Sequence, residues 1–128
     1  MRIRFATPLL ALALIGVSAC GGSSSSSNNT VPADADVVVE AREGIAWNQK
    51  EFTATATDGA VVIYGVNQSS IAHNLYVLDA DEQVIGDYID LPKRGSDGSR
   101  QLDLAPGEYR IVCKIPGHTN MNAKLTVT

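Results

Sequence analysis

The segment Cys113–Met121 reads CKIPGHTNM and lies between two strand-like runs near the end of the chain. It places a thiol, an imidazole and a thioether close together, at Cys113, His118 and Met121. Thiolate and thioether are soft ligands and imidazole suits copper, whereas magnesium and calcium prefer oxygen ligands. The segment therefore favours a copper site over a site for a hard cation.

One loop does not provide a full ligand set, so a second imidazole has to come from elsewhere. The chain has two histidines, and the other one is His73. Met1 and Cys20 fall in the N-terminal region discussed below, which leaves one Cys, one Met and two His. A trigonal Cys-His-His copper site with a weak axial Met uses all four. The alternative, a small buried Cys and a gap-filling Met, leaves their close spacing unexplained.

The N-terminal segment has the pattern of an export signal. Arg2 and Arg4 give it a positive start, and the apolar run Leu9–Val17 is too short to span a bilayer. We therefore expect residues 1–19 to be a signal peptide of the lipoprotein type. Loss of the two arginines with this leader would change the net charge from −4 to −6.

Cys20 is predicted to be the lipidated first residue after cleavage. Lipidation would remove an exposed free thiol from an oxidising compartment. Two alternatives stay open, namely ordinary cleavage after Ala19 and a disulfide between Cys20 and Cys113, which would use the thiolate that the copper site needs. Residues 20–31 are predicted to be a flexible tether, because Gly21–Thr30 contains only Gly, Ser, Asn and Thr.

Residues 32–128 are predicted to form one small domain made of strands. Apolar and polar residues alternate along several short runs, and Asp58-Gly59 is a strong signal for a tight turn. The stretch Ala41–Lys50 is ambiguous. About eight such runs predict an all-β, Greek-key antiparallel β-sandwich. The runs are Val37–Val39, Glu51–Thr57, Ala60–Val66, His73–Asp79, Gln83–Asp90, Arg100–Leu104, Glu108–Cys113 and Ala123–Thr128.

These residues resemble the cupredoxin family of small blue copper proteins, which includes plastocyanin, azurin, amicyanin and auracyanin. The resemblance is carried by His73-Asn74 at the start of a strand, by Leu104–Tyr109 leading into Cys113, and by the loop up to Met121. It implies one mononuclear copper ion with His73, Cys113 and His118 as equatorial ligands and Met121 as the axial ligand. It also implies that Asn74 ties the two ligand-bearing segments by hydrogen bonds, although a plain loop amide is the alternative.

The same resemblance implies a function in electron transfer. Transient redox partners, such as cytochromes or copper enzymes, would dock around His118 on the uncharged residues Pro116, Gly117, Thr119 and Asn120. We expect a monomer that is exported to the periplasm and anchored to a membrane by lipid, with the outer membrane favoured in a Gram-negative cell. Nucleic acid is not an expected partner, because the chain is acidic and has no basic stripe.

Other functions fit the residues less well. The chain is not expected to be an enzyme, because copper oxidases and nitrite reductases need histidines for further copper centres, and none is left. The principal alternative is a periplasmic copper carrier or tolerance lipoprotein. Such proteins usually have exposed stretches rich in Met and His, which this chain lacks. A zinc site with the same ligands is a further alternative.

Overall fold

The computed structural model describes residues 29–128, so the predicted signal peptide, Cys20 and most of the tether lie outside the described residues. Residues 29–128 form nine β-strands in two sheets and contain no helix. The β-sandwich predicted from the sequence is confirmed. The strands are β1 (Val37–Arg42), β2 (Ala46–Trp47), β3 (Glu51–Ala54), β4 (Ala60–Asn67), β5 (His73–Leu78), β6 (Ile89–Leu91), β7 (Asp97–Asp103), β8 (Gly107–Val112) and β9 (Asn122–Val127).

Both sheets are mixed, which corrects the antiparallel arrangement predicted for the sandwich. One sheet has the order β2-β1-β4-β7 and the other has the order β3-β9-β8-β5-β6. The pairs β1–β4 and β3–β9 are parallel. Alternation along a strand fixes which side chains face the core but does not identify the neighbouring strand. Apolar residues from both sheets then form one buried core cluster.

The Asp58-Gly59 turn forms as predicted, but it joins the two sheets. Asp58 and Gly59 have φ angles of 52° and 77°, and Thr57 and Ala60 exchange two main-chain hydrogen bonds across them. Asp-Gly suits such a turn because both residue types tolerate positive φ. Beyond the turn the chain diverges, since β3 pairs with β9 while β4 pairs with β1 and β7.

Two other stretches differ from their sequence-based interpretation. The ambiguous stretch Ala41–Lys50 ends β1, turns back and forms the short strand β2. The single strand predicted over Gln83–Asp90 is wrong, because Val84 only forms an isolated bridge with Leu78 and the strand β6 covers Ile89–Leu91. Glu82 and Gly86 have φ angles of 60° and 64°, and residues with positive φ do not continue a strand.

The pairing of β5 with β8 places the candidate ligands at one end of the sandwich. These strands are antiparallel, with Tyr76 opposite Val112, so the start of β5 lies beside the end of β8. His73 is the first residue of β5, and Cys113 follows the last residue of β8. The segment Cys113–Met121 then connects directly to β9. Residues 29–128 include no helix long and apolar enough to cross a membrane.

Candidate metal centre

Three of the predicted ligands come together at this end of the sandwich. Within the described residues, His73, Cys113 and His118 form a group whose potential ligand atoms all lie within 4.8 Å of one another. All three side chains are buried, with exposed fractions of 1% for His73, 7% for Cys113 and 8% for His118. A buried group of one thiol and two imidazoles is a suitable site for a soft or borderline metal ion.

The two ring nitrogens of His73 have different surroundings. Its Nε2 lies 2.7 Å from Ser69 Oγ. Its Nδ1 is buried and has no hydrogen-bond partner among residues 29–128. Buried polar atoms are nearly always paired, so an unpaired imidazole nitrogen beside a thiol and a second imidazole fits a metal ligand.

The Cys113–Met121 loop directs His118 back toward Cys113. The amide of His118 donates to the carbonyl of Ile115 at 3.0 Å, and Gly117 has a φ of 88°, which glycine adopts without strain. The Sγ of Cys113 and the Nδ1 of His118 are 3.4 Å apart. The ring centroids of His118 and His73 are 4.9 Å apart. The loop and the start of β5 therefore meet at the same point.

Met121 closes the loop and is fully buried. Its amide donates to the carbonyl of His118 at 2.9 Å, and its carbonyl accepts from the amide of Cys113 at 3.1 Å. The exposed fraction of Met121 is 1%, and its side chain belongs to the core cluster. Its backbone is thus fixed between two candidate ligands, and its role as the axial ligand stays a prediction.

Asn74 connects the two segments that carry the candidate ligands. Its Oδ1 accepts a hydrogen bond from the amide of Lys114 at 2.7 Å. If the register of β5 and β8 is continued past Val112, Asn74 lies opposite Lys114, where the main-chain ladder has ended. The side chain satisfies an amide that would otherwise lack a partner in the sheet. It holds Cys113 beside His73 through their immediate neighbours.

Solved structures with this arrangement of strands include several small copper proteins. Auracyanin A, a "blue" copper protein from Chloroflexus aurantiacus, superposes with a TM-score of 0.58 at 22% identity, over 71% of this chain and 96% of its own. Auracyanin B gives a TM-score of 0.60 at 23% identity, over 81% and 95%. The chain has the cupredoxin fold. An azurin from Methylomonas sp. strain J gives a TM-score of 0.60 at 14% identity, over 75% and 99%.

The sequence comparisons add nothing to this structural likeness. No protein-family model matches the chain, and no curated protein matches it. The cupredoxin fold is therefore visible in the structure and in the spacing of a few residues rather than in overall sequence similarity.

Sequence reasoning missed two residues that support His73 within the cupredoxin fold. Asn67 and Ser69 stand in the polar stretch between the predicted runs Ala60–Val66 and His73–Asp79, yet both are fully buried. The Oδ1 of Asn67 accepts from the amide of Ser69 at 2.8 Å, and Ser69 contacts His73. The available signal was the spacing of Ser69 four residues before His73, which alone is too common to identify a partner.

The electrostatic environment of His73 favours the neutral imidazole. Burial is the main cause that lowers the pKa of His73 below its ordinary value of 6.5, and the nearby His118 lowers it further. The carboxylate of Glu43 opposes both effects. Metal binding requires a deprotonated ring nitrogen, so a lowered pKa keeps His73 ready to bind at neutral pH.

The predicted docking residues surround His118 at the surface. Pro116, Gly117, Thr119 and Asn120 are all exposed. The surface around His118 is not wholly uncharged, however, because the ammonium of Lys50 donates to the carbonyl of Asn120 at 3.2 Å. Lys50 is distant from the loop in sequence, so local composition gave no sign of this charge.

Proposed function

We propose that this chain is an electron carrier that binds one copper ion through His73, Cys113 and His118, with Met121 as a weak axial ligand. The buried Nδ1 of His73 carries the proposal, because it has no partner among the described residues and lies in a group with a thiol and a second imidazole. The cupredoxin fold supports it, since auracyanin A, a structural neighbour, is described as a "blue" copper protein.

Copper held by a thiolate, two imidazoles and a thioether would supply a one-electron couple at this site. The protein's own contribution is to exclude water and to hold the donor atoms still. His73 and Cys113 are buried at the ends of two paired strands, and Asn74 fastens one strand end to the other. Donor atoms that barely move between oxidation states favour rapid exchange of an electron.

Copper delivery without electron transfer is the second candidate function. A redox-cycling experiment separates the two functions. The copper-loaded protein would be reduced and reoxidised repeatedly in the presence of a copper-free chelator. An electron carrier is expected to retain its copper through many cycles, because every ligand candidate is buried. Transfer of the copper to the chelator within the first cycles would favour the delivery function, and stoichiometric binding of zinc alone would favour the zinc site.

We propose that redox partners dock on the exposed residues around His118. His118 is more exposed than His73 and belongs to the loop that reaches the surface. A partner there would make a small, transient interface, as weak redox complexes do. The Asn120→Glu variant is expected to change the second-order rate with a charged partner by about tenfold while leaving the copper spectrum intact. An unchanged rate with every partner tested would move the docking site to another face.

We also propose that Cys20 is lipidated and holds this domain at the periplasmic face of a membrane, where it works as a monomer. The support is the export-signal pattern of residues 1–19 and the polar composition that follows Cys20. Mass spectrometry of the exported protein is expected to show acylation of Cys20, and the protein is expected to fractionate with membranes. Recovery of an unmodified form that begins at Cys20 would contradict the anchor.

A further inference from the structure

We propose that Ser69 is a positioning residue that fixes the tautomer and the ring orientation of His73, and so prepares Nδ1 to bind the metal. The inference rests on the proposed copper function and concerns a residue outside the predicted ligand set. The observation behind it is the 2.7 Å contact between Ser69 Oγ and His73 Nε2, inside the protein and on the side of the ring opposite the unpaired Nδ1.

The direction of this hydrogen bond is assigned from the other contacts of the Ser69 hydroxyl together with the unpaired Nδ1 of His73. A hydroxyl has one proton to donate and can accept two hydrogen bonds. Ser69 Oγ lies 3.2 Å from the carbonyl oxygen of Ile71, which can only accept, and it accepts from the amide of Ile71 at 3.4 Å. Binding of a metal at Nδ1 requires the ring proton at Nε2, so in the proposed arrangement the hydroxyl donates to Ile71 and the Oγ accepts from His73. In this arrangement Nε2 carries the ring proton and Nδ1 is left with its lone pair.

Ser69 is itself held in place by Asn67. The Oδ1 of Asn67 accepts from the amide of Ser69 at 2.8 Å. The Nδ2 of Asn67 donates to the carbonyls of Ile71 at 2.7 Å and Leu91 at 3.0 Å. Leu91 in β6 pairs with His73 in β5, so these contacts form a closed network that begins and ends at His73.

This closed network gives the His73 ring little freedom. The exposed fractions of Asn67 and Ser69 are both 0%, so water does not compete for their hydrogen bonds. Outer hydrogen-bond partners of metal-binding histidines fix the tautomer and the ring orientation, and their loss typically lowers metal affinity about 10- to 100-fold. Without the Ser69 hydroxyl, Nε2–H would lose its acceptor, and the tautomer protonated at Nδ1 would become accessible.

The first test reads the tautomer of His73 directly in the metal-free protein. Long-range ¹H–¹⁵N correlation spectra distinguish a protonated Nε2 from a protonated Nδ1, at about pH 8, where imidazole is neutral. We expect His73 in the unmodified sequence to be protonated at Nε2 only. In Ser69→Ala we expect a mixture of tautomers. A His73 ring protonated at Nδ1 in the unmodified sequence would overturn the inference, whatever the variant does.

The second test compares Ser69→Ala with Ser70→Ala, which removes a neighbouring hydroxyl whose hydrogen bond is made to the exposed Glu43. Affinity for Cu(I), measured by competition with a chromophoric chelator, should fall about 10- to 100-fold in Ser69→Ala and stay unchanged in Ser70→Ala. Equal affinity in both variants would overturn the positioning role. If the unmodified protein instead fails to hold copper with a thiolate band, the proposed function fails, and the tautomer measurement still decides whether Ser69 orients His73.

Discussion

The two segments that supply the candidate ligands are held in different ways. The Asn67–His73 segment is fixed by main-chain hydrogen bonds to other parts of the domain and by its own buried side chains at Asn67, Ser69 and His73. The Cys113–Met121 loop is fixed by main-chain hydrogen bonds between its own residues and by Asn74 at Lys114, and many of its side chains are exposed. The first segment acts as an anchor in the protein interior, and the second brings His118 to the surface.

The difference suggests that one segment keeps the metal site rigid and the other makes it accessible to a partner. A donor atom in the interior keeps its position because moving it would leave several polar groups unpaired. A donor atom on a short loop keeps its position through tight turns, while its neighbours remain available to a partner. Each of the following predictions tests whether the first segment is the rigid one and the second the accessible one.

The largest effect is expected from Asn67→Ala. This change removes three side-chain hydrogen bonds, one from the buried amide of Ser69 and two to the carbonyls of Ile71 and Leu91. We expect the free energy of unfolding of the metal-free protein to fall by about 3 kcal/mol. The control Thr119→Ala, on the exposed loop, should change it by less than about 0.5 kcal/mol. Urea denaturation measures the free energy of unfolding of both variants. Similar losses in the two would contradict the view that the Asn67–His73 segment is the more rigid one.

A smaller effect is expected from Gly117→Ala. Gly117 has a φ of 88° and open space where a Cβ would lie, so the cost is conformational and about 1–2 kcal/mol. Gly44→Ala is a matched control, because Gly44 has a φ of 84° and similar open space in the turn between β1 and β2. Both variants should lose similar stability, but only Gly117→Ala should alter the spectrum of the copper-loaded protein. An altered spectrum in both variants would mean that the geometry of the copper site is not set locally by the Cys113–Met121 loop.

These two predictions also show how far the sequence could be interpreted. The Cys113–Met121 loop was predictable because its ligands are contiguous and chemically distinctive. His73 was predictable because the chain has one other histidine to offer. Asn67 and Ser69 were not predictable, because Asn and Ser in a polar stretch usually indicate a solvated turn. Their burial depends on the pairing of β5 with β6, which no local pattern reveals.

The fold shows the same limit. Alternation in β5 predicts that Leu75 and Val77 share one face, and both are buried, because side-chain direction is a local property of a strand. The parallel pairing of β1 with β4 was missed because it joins segments far apart in sequence. The positive charge of Lys50 beside Asn120 was missed for the same reason. Short segments thus reveal the candidate ligands and the direction of their side chains. The residues that position the ligands and the charges near them come from contacts between distant segments.

Met121→Leu should have a modest effect, because a weak axial thioether tunes a copper site more than it holds the metal. We expect copper and colour to be retained, the reduction potential to rise, and the copper affinity to change by less than about tenfold, or about 1.4 kcal/mol. Voltammetry and chelator competition measure the two quantities. Loss of most of the copper affinity would mean that Met121 is a main ligand and that the Cys113–Met121 loop holds the metal more firmly than proposed.

The smallest effect is expected from pH on the metal-free protein. The pKa of His73 is lowered in the folded state, chiefly by burial, so the unfolded chain binds this proton more readily. The stability from neutral His73 is therefore complete above the ordinary pKa of 6.5. It decreases as the pH falls below that value, toward the lowered pKa. Urea denaturation between about pH 5 and pH 7 should show this slope, and His73→Gln should flatten it. An unchanged slope in His73→Gln would assign the dependence to other groups.

The most direct test of the proposed site is the visible absorption spectrum of the protein loaded with one equivalent of Cu(II). A Cys113 thiolate bound to copper beside His73 and His118 predicts an intense charge-transfer band, blue or greenish in colour. The band should disappear on reduction, return on reoxidation and be absent from Cys113→Ser. Stoichiometric Cu(II) bound without such a band would contradict the thiolate-copper site and the electron-transfer function built on it.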